Sequence, residues 1–328
     1  MRSKCTTTLI VIAVIVGCAR TDAQQDDRKA LDVIASARTA IGGKKLDAIK
    51  SLSVQAGAQR NVGNFRMNSD LELLIDLPDK YMKSESSSGG PMSMTNVSGF
   101  NGDRPMKSSA GAGIGPGGAM VIRMGPGAGP GGPISGGEKP TPEQQQQIDR
   151  QLVRSARQEI SRLMLGWFAT THPAVSAHYT YAGEAESPDG KAHVIDVRNA
   201  DGFTARLFID EKTELPLMVT YQGPQPRMIT SGGPRLVGNP NGQPARQLTE
   251  DERKQAQADA QKQLEELQKQ PPATVEFALY FDDWRDVDGI KFPHAFRRAM
   301  AGATTEEWTI TRVKVNPKID AKKFESAQ

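Results

Sequence analysis

"AHVIDVRNADGFTARLFIDEKTELPLMVTYQ" (192–222) alternates apolar and polar residues in three successive runs. His193, Ile195 and Val197 share one face of the first run. Phe203, Ala205, Leu207 and Ile209 share one face of the second, and Leu217, Val219 and Tyr221 one face of the third. A period of two is the spacing of a strand with one dry face and one wet face. Asp201–Gly202 separates the first two runs and Asp189–Gly190 precedes them. Both are hairpin dipeptides, because Asp and Gly tolerate the positive φ that tight turns need. Strands joined by short, regularly spaced turns predict an antiparallel meander.

The pattern extends in both directions. In "FRMNSDLELLIDLP" (65–78), Met67, Leu71, Leu73 and Ile75 fall on one face. Asn68, Asp70, Glu72 and Asp76 fall on the other, and Leu74 breaks the rule. "LSVQAGAQ" (52–59) precedes it and "PDKYMKSES" (78–86) follows after a turn. Toward the C-terminus, "TVEFALYFDDW" (274–284) places Val275, Phe277, Leu279 and Phe281 on one face. "GIKFPHAFRRAM" (289–300) and "TTEEWTITRVKV" (304–315) complete the set.

Two helices accompany these strands. Over 27–41, Leu31, Val33, Ile34, Ala37 and Ile41 recur at helical spacing, and Gly42 and Gly43 end the run. Thr141 is a predicted N-cap, with Pro142 at the first helical position and Gln144 completing a capping box. That helix runs to about 168, with Ile148, Leu152, Ala156, Ile160, Leu163 and Trp167 along one side. A third helical stretch, 249–270, opens on Thr249 and Glu252 and stops at Pro271. Its thin stripe of Ala256, Ala260, Leu264 and Leu267 marks a solvated helix.

The fold class is therefore α+β, with about ten or eleven antiparallel strands. So many strands bury poorly as a flat open sheet. A strongly curved, unclosed half-barrel with helices covering its concave face buries them better.

The chain opens with Arg2 and Lys4 followed by an uncharged run over 5–19, about fifteen residues long. That is shorter than the roughly twenty a membrane span needs and fits a secretory signal segment. Two cuts fit it. "IVGC" (15–18) resembles a bacterial lipobox with Cys18 as the acylated residue, and "TDA" (21–23) is a small-residue site ending a signal peptide at 1–23. Residues 24–328 then form one domain carrying two insertions. One is glycine-rich, at 101–140. The other, at 223–272, is Pro/Gly-rich and includes the polar helix. The expected location is the periplasm, with membrane anchoring if Cys18 is lipidated.

Composition limits the chemistry. Cys5 and Cys18 are the only cysteines, so the mature chain has no disulfide and no cysteine-based metal or nucleophile site. The formal charge of +3 falls to +1 once Arg2 and Lys4 are removed, and no basic stripe points to nucleic acid. The glycine-rich run "GAGIGPGGAM" (111–120) matches G-x-G-x-x-G. It follows no buried strand, opens no helix and contains Pro116, so it is a loop and no nucleotide site. "DDWRDVDG" (282–289) lacks the first and twelfth ligands of a calcium loop and reads as a hairpin at Asp288–Gly289. His172, His178, His193 and His294 show no metal-binding spacing, and no G-x-S-x-G occurs. Neither a metal nor another cofactor is expected, and the chain reads as a non-enzyme. A carboxylate pair drawn from distant strands would leave no local pattern, so a hydrolase remains a rival.

Taken in order, five stretches resemble the outer-membrane lipoprotein-sorting superfamily of LolA/LolB-like carriers. They are "ALDVIASARTAIGGKKLDAIKSL" (30–52), "DLELLIDLPDKYMKSE" (70–85), "FTARLFIDEKTELPLMVTY" (203–221), "FDDWRDVDGIKFP" (281–293) and "VKVNPKIDAKKFE" (313–325). The resemblance implies an unclosed β-barrel whose helices cover a hydrophobic cavity that binds lipid or lipoprotein acyl chains without chemistry. The expected cavity wall is Leu71, Leu73, Ile75, Val219, Tyr221, Phe277, Leu279 and Phe281. The second expectation is an envelope regulator or scaffold that binds a protein partner through the insertions.

Overall fold

In the computed structural model, the described residues are 23–62, 65–89, 92–110, 121–124, 141–188, 190–230, 249–251 and 273–325, with positions 255, 258 and 262. The N-terminal apolar run with Cys18, most of both insertions and the body of the polar helix lie outside them. Among the described residues no helix is long and apolar enough to cross a membrane.

The chain begins with α1 (Ala23–Ile41) and a 3-10 turn (Gly43–Ala48). Five strands follow: β1 (Ser51–Val62), β2 (Phe65–Asp76), β3 (Lys80–Gly89), β4 (Met92–Asn101) and β5 (Arg104–Ala110). A short β6 (Val121–Met124) precedes α2 (Pro142–Phe168). The second run is β7 (His178–Ser187), β8 (Gly190–Arg198), β9 (Thr204–Asp210), β10 (Pro216–Pro224) and a short β11 (Arg227–Thr230). Last come β12 (Thr274–Val287), β13 (Ile290–Met300), β14 (Ala303–Val315) and a 3-10 turn (Ala321–Phe324).

Twelve strands form one sheet in the order β5-β4-β3-β2-β1-β14-β13-β12-β10-β9-β8-β7, antiparallel throughout. β5 and β7 are unjoined edges, so the sheet is open. α2 approaches β4 and β5 near one edge and β9, β10 and β12 toward the other more closely than it does the central strands. The sheet therefore arches around the helix. The α+β half-barrel is the observed architecture. β4, β5 and β7 lie outside the runs quoted from the sequence, and β5 falls in the range read there as the glycine-rich insertion. β6 and β11 form a separate two-stranded antiparallel ladder. Each lies in a different one of the two stretches read from the sequence as insertions, and the ladder joins those stretches.

Turn chemistry sets the register. Asp288 (φ 56°) and Gly289 (φ 78°) both have positive φ at the β12–β13 hairpin, as do Ala301 (φ 48°) and Gly302 (φ 80°) at the next. That is the mirror-image turn whose twist matches paired strands. The calcium-like stretch is thus a hairpin.

The concave face carries the main core. Leu52, Val54, Leu73, Ile195, Leu207, Phe292, Phe296, Trp308 and Ile310 meet Ile160, Leu163, Trp167 and Phe168 of α2 and Ala30, Ile34, Ala37 and Ile41 of α1. The stripe of α1 differs from the predicted one by a single residue: Leu31 is 56% exposed and Ala30 takes the buried place. Leu74, the exception in β2, has its own cover. It packs with Met82, Met106 and Phe324 in a separate cluster, closed by the C-terminal 3-10 turn. α2 starts with the predicted capping box: the Gln144 N–H donates to Thr141 Oγ1, and the Thr141 N–H donates to Gln144 Oε1.

Candidate functional site

Six of the eight expected wall residues are buried in the main core: Leu71, Leu73, Ile75, Val219, Leu279 and Phe281. They form two groups. Val219 pairs with Leu279 and Tyr221 with Phe277 across β10 and β12, next to Phe281. Leu71, Leu73 and Ile75 lie on β2, with β1, β14 and β13 in between. Phe296 and Trp308 fill that interval, with ring centroids 4.1 Å apart. Sequence reading placed both on strands without assigning them to the wall.

Over Phe281 the concave face is occupied by α2. Gly166 sits so close to the Phe281 ring that a Cβ there would overlap it. The cavity that Ile75 lines, with Leu46, Leu52, Met164 and Phe168 and with Arg38 at its rim, has a volume of about 40 Å³. That is near the space of one water molecule, far less than an acyl chain needs. Tyr221 and Phe277 differ from the other six. They are half-buried, and their rings stack at 5.1 Å and 11°. This pair forms an apolar shelf where the packed core ends.

Beyond the apolar half, the same face turns ionic. Arg60 of β1 pairs with Glu85 of β3 (2.9 Å) and with Glu306 of β14 (3.1 Å). Arg298 of β13 pairs with Glu306 (3.2 Å) and with Glu159 of α2 (3.7 Å), and Lys83 of β3 also pairs with Glu159 (3.2 Å). The Trp308 indole N–H donates to Glu306 (2.8 Å), which is only 3% exposed. Burial alone would raise the Glu306 carboxyl. Arg298, Lys83 and Arg60 together hold it well below the usual carboxylate range. Burial works against the charged Arg298, but Glu306, Tyr221, Glu159 and Tyr81 together outweigh it, so this guanidinium stays firmly protonated. The Tyr81 hydroxyl is buried without a hydrogen-bond partner, and burial pushes its pKa up.

The ionic band was not read from the sequence. Strand alternation puts Arg60, Lys83, Glu85, Arg298 and Glu306 on the same parity as the inward apolar residues. That phase was the available signal, and their charge concealed it.

A polar cavity of about 270 Å³ lies between α1 and the ends of β8 and β9, lined by Lys29, Asp32, Ser36, His193, Glu211 and Glu214 among others. Ligand-type atoms of Glu184, His193 and Glu211 lie within 4.8 Å of one another. His193 Nδ1 is 3.1 Å from the Tyr181 hydroxyl, and the Lys29 ammonium rests on the Tyr181 ring at 3.9 Å. His172 is sealed in the core, and its Nδ1 accepts from the Ala174 N–H. Burial, reinforced by Arg157, lowers its pKa to about 4.

No family model matches the chain, and no curated protein matches it. Among solved structures it is similar to the LolA superfamily protein NE2245 from Nitrosomonas europaea, at 8% identity and a TM-score of 0.46, over 90% of this chain and 97% of that one. It is also similar to a putative outer membrane lipoprotein-sorting protein domain from Vibrio parahaemolyticus (8% identity, TM-score 0.42, 91% and 97% covered). A DUF1329 family protein from Desulfovibrio piger is similar at 8% identity and a TM-score of 0.41, with 90% and 97% covered. At these TM-scores the likeness carries no inference about ligand or partner.

Proposed function

We propose that this chain is an exported, periplasmic, non-enzymatic protein that binds a lipid or an acyl chain between α2 and the concave face of its half-barrel. The observation that supports this is the division of one concave face into an apolar half and an ionic half, with the half-exposed Tyr221–Phe277 shelf where they meet. An amphiphile matches that division. The chain's resemblance in sequence to lipoprotein carriers points the same way. Because α2 fills the apolar half, a long chain enters only if the helix shifts from the sheet. The shelf is where displacement leaves the least packing to break.

The test is mass spectrometry of an organic extract from protein purified natively, beside an unrelated exported protein. A stoichiometric lipid or acyl species is expected. An empty extract from well-folded protein would turn the apolar face back into ordinary core. Phe277→Ala should weaken binding about tenfold while leaving the fold intact, since the ring is half-buried and truncation removes about 1.4 kcal/mol of contact. Unchanged affinity would remove Phe277 from the site.

The β6–β11 ladder favours a second reading, a protein-binding regulator, because it draws the two insertions to one place. Deleting 249–270 separates the two: a lipid binder keeps its ligand and a scaffold loses its partner.

A further inference from the structure

Arg162 stands apart from the other cations of the concave face. Its guanidinium lies over the Tyr221 ring at 3.9 Å and 5.3 Å from the Phe203 ring. It makes no hydrogen bond or ion pair among the described residues, and its Nε is buried without a partner. Ring faces favour the flat sides of a guanidinium but cannot accept from its in-plane N–H groups, which need a lone pair. Arginine cannot relieve the position by losing its proton.

The neighbouring carboxylates are already engaged. Glu159, one helical turn before Arg162, is shared by Lys83 and Arg298. Glu306 is shared by Arg298 and Arg60, and Glu85 is taken by Arg60. Among the described residues four cations of this face thus meet three carboxylates, and the one left over is Arg162. Arg298 has a buried Nε with no partner as well. The surplus lies beside the Tyr221–Phe277 shelf, because Tyr221 contacts both Arg162 and Phe277. A planar donor fork next to a half-buried apolar strip fits an oxyanion attached to a hydrocarbon chain.

Building on the amphiphile reading above, we propose that Arg162 anchors the anionic headgroup of the ligand, a phosphate or other oxyanion, with its chain starting along Tyr221 and Phe277. The site selects acidic over neutral amphiphiles.

The test is calorimetric titration of the full mature chain with dodecyl phosphate, dodecyl maltoside and inorganic phosphate, each below micelle-forming concentration. The wild type should bind dodecyl phosphate about tenfold or more tightly than the maltoside, a typical worth of one charge-assisted hydrogen bond. R162Q, checked for folding by its melting curve, should bring the two affinities together, and R162K should keep part of the difference. Equal affinity for both detergents in the wild type overturns the headgroup site and leaves the amphiphile reading standing. A preference that survives in R162Q overturns the assignment to Arg162. Inorganic phosphate bound as tightly as dodecyl phosphate, and lost in R162Q, keeps the oxyanion site and overturns the amphiphile reading. No binding of any of the three overturns both. Should R162Q fail to fold, R162K decides the assignment: a reduced preference that declines with added salt supports it, and an undiminished preference overturns it.

Discussion

At the scale of single residues, Glu306 holds the ionic band together, since it accepts from Arg60 and Trp308 and forms an ion pair with Arg298. Glu306→Gln keeps the shape but leaves Arg60 with Glu85 alone and Arg298 with Glu159 alone in a dry place. A cost of about 3–5 kcal/mol is expected, read from the urea midpoint. Acid should act in two separate windows. The unfolded chain protonates His172 near pH 6.5, whereas the folded chain holds it neutral down to about 4. The unfolded state therefore binds more protons in between, and stability falls as pH drops from about 6.5 to 4, by about 3 kcal/mol in all. His172→Gln should flatten that slope. Glu306 is lowered in the folded state, so its contribution is fully present above the ordinary carboxylate pKa and is lost as pH falls from there through the lower folded value. Urea midpoints measured from pH 7.5 downward would separate the two. A profile flat between 6.5 and 5 would show that His172 is not held neutral.

At the scale of elements, α2 is decided by its last three turns. Its N-terminal half is largely exposed, whereas Ile160, Leu163, Met164, Leu165, Trp167 and Phe168 are buried. Gly166 lets the helix backbone come down onto Phe281. Gly166→Ala improves helix propensity by about 1 kcal/mol but drives a methyl group into the ring, and overpacking of that kind costs about 1–3 kcal/mol. Net destabilisation is expected, and Phe281→Leu in the same chain should recover part of it. Simple additivity of the two changes would show that the helix and strand do not meet there.

The same contact shows where sequence reading stops. The period of two in β2, β10 and β12 and the capping box at Thr141 are local patterns, and they carried the architecture. A glycine inside a helix carries no sign of the ring it faces. Leu74 was legible as an exception but not as the floor of a second small core, because its cover, Phe324, comes from the far end of the chain. Arg60, Lys83, Glu85, Arg298 and Glu306 share strand parity with the core. Only strand order shows that opposite charges from β1, β3, β13 and β14 neutralise one another there. Whether the eight wall residues hold a ligand depends on how α2 moves, which periodicity does not encode.

At the scale of the whole molecule, the two arms of the sheet meet at the β1–β14 pair, running from Leu52–Val315 to Arg60–Glu306. The first and last strands of the chain thus join the β5-to-β1 arm to the β13-to-β7 arm. Ending the chain after 302 would remove Trp308, Ile310 and Glu306 and leave two half-sheets without their shared centre. Such a fragment should lose the single cooperative urea transition of the full chain. A sharp transition retained at the wild-type slope would mean that one arm and its helix fold alone.

That central seam has a consequence for how the protein is made. A chain that emerges N-terminus first, from a ribosome or from an export pore, presents β1 early and must keep its bonding edge unsatisfied through some 240 residues until β14 arrives. Closing so long a loop is slow, and a waiting strand edge invites the wrong neighbour. Delay is a hazard to a protein that folds where it is synthesised. To one that must cross a membrane unfolded it is an advantage, because the sheet cannot lock before the last of the chain is through.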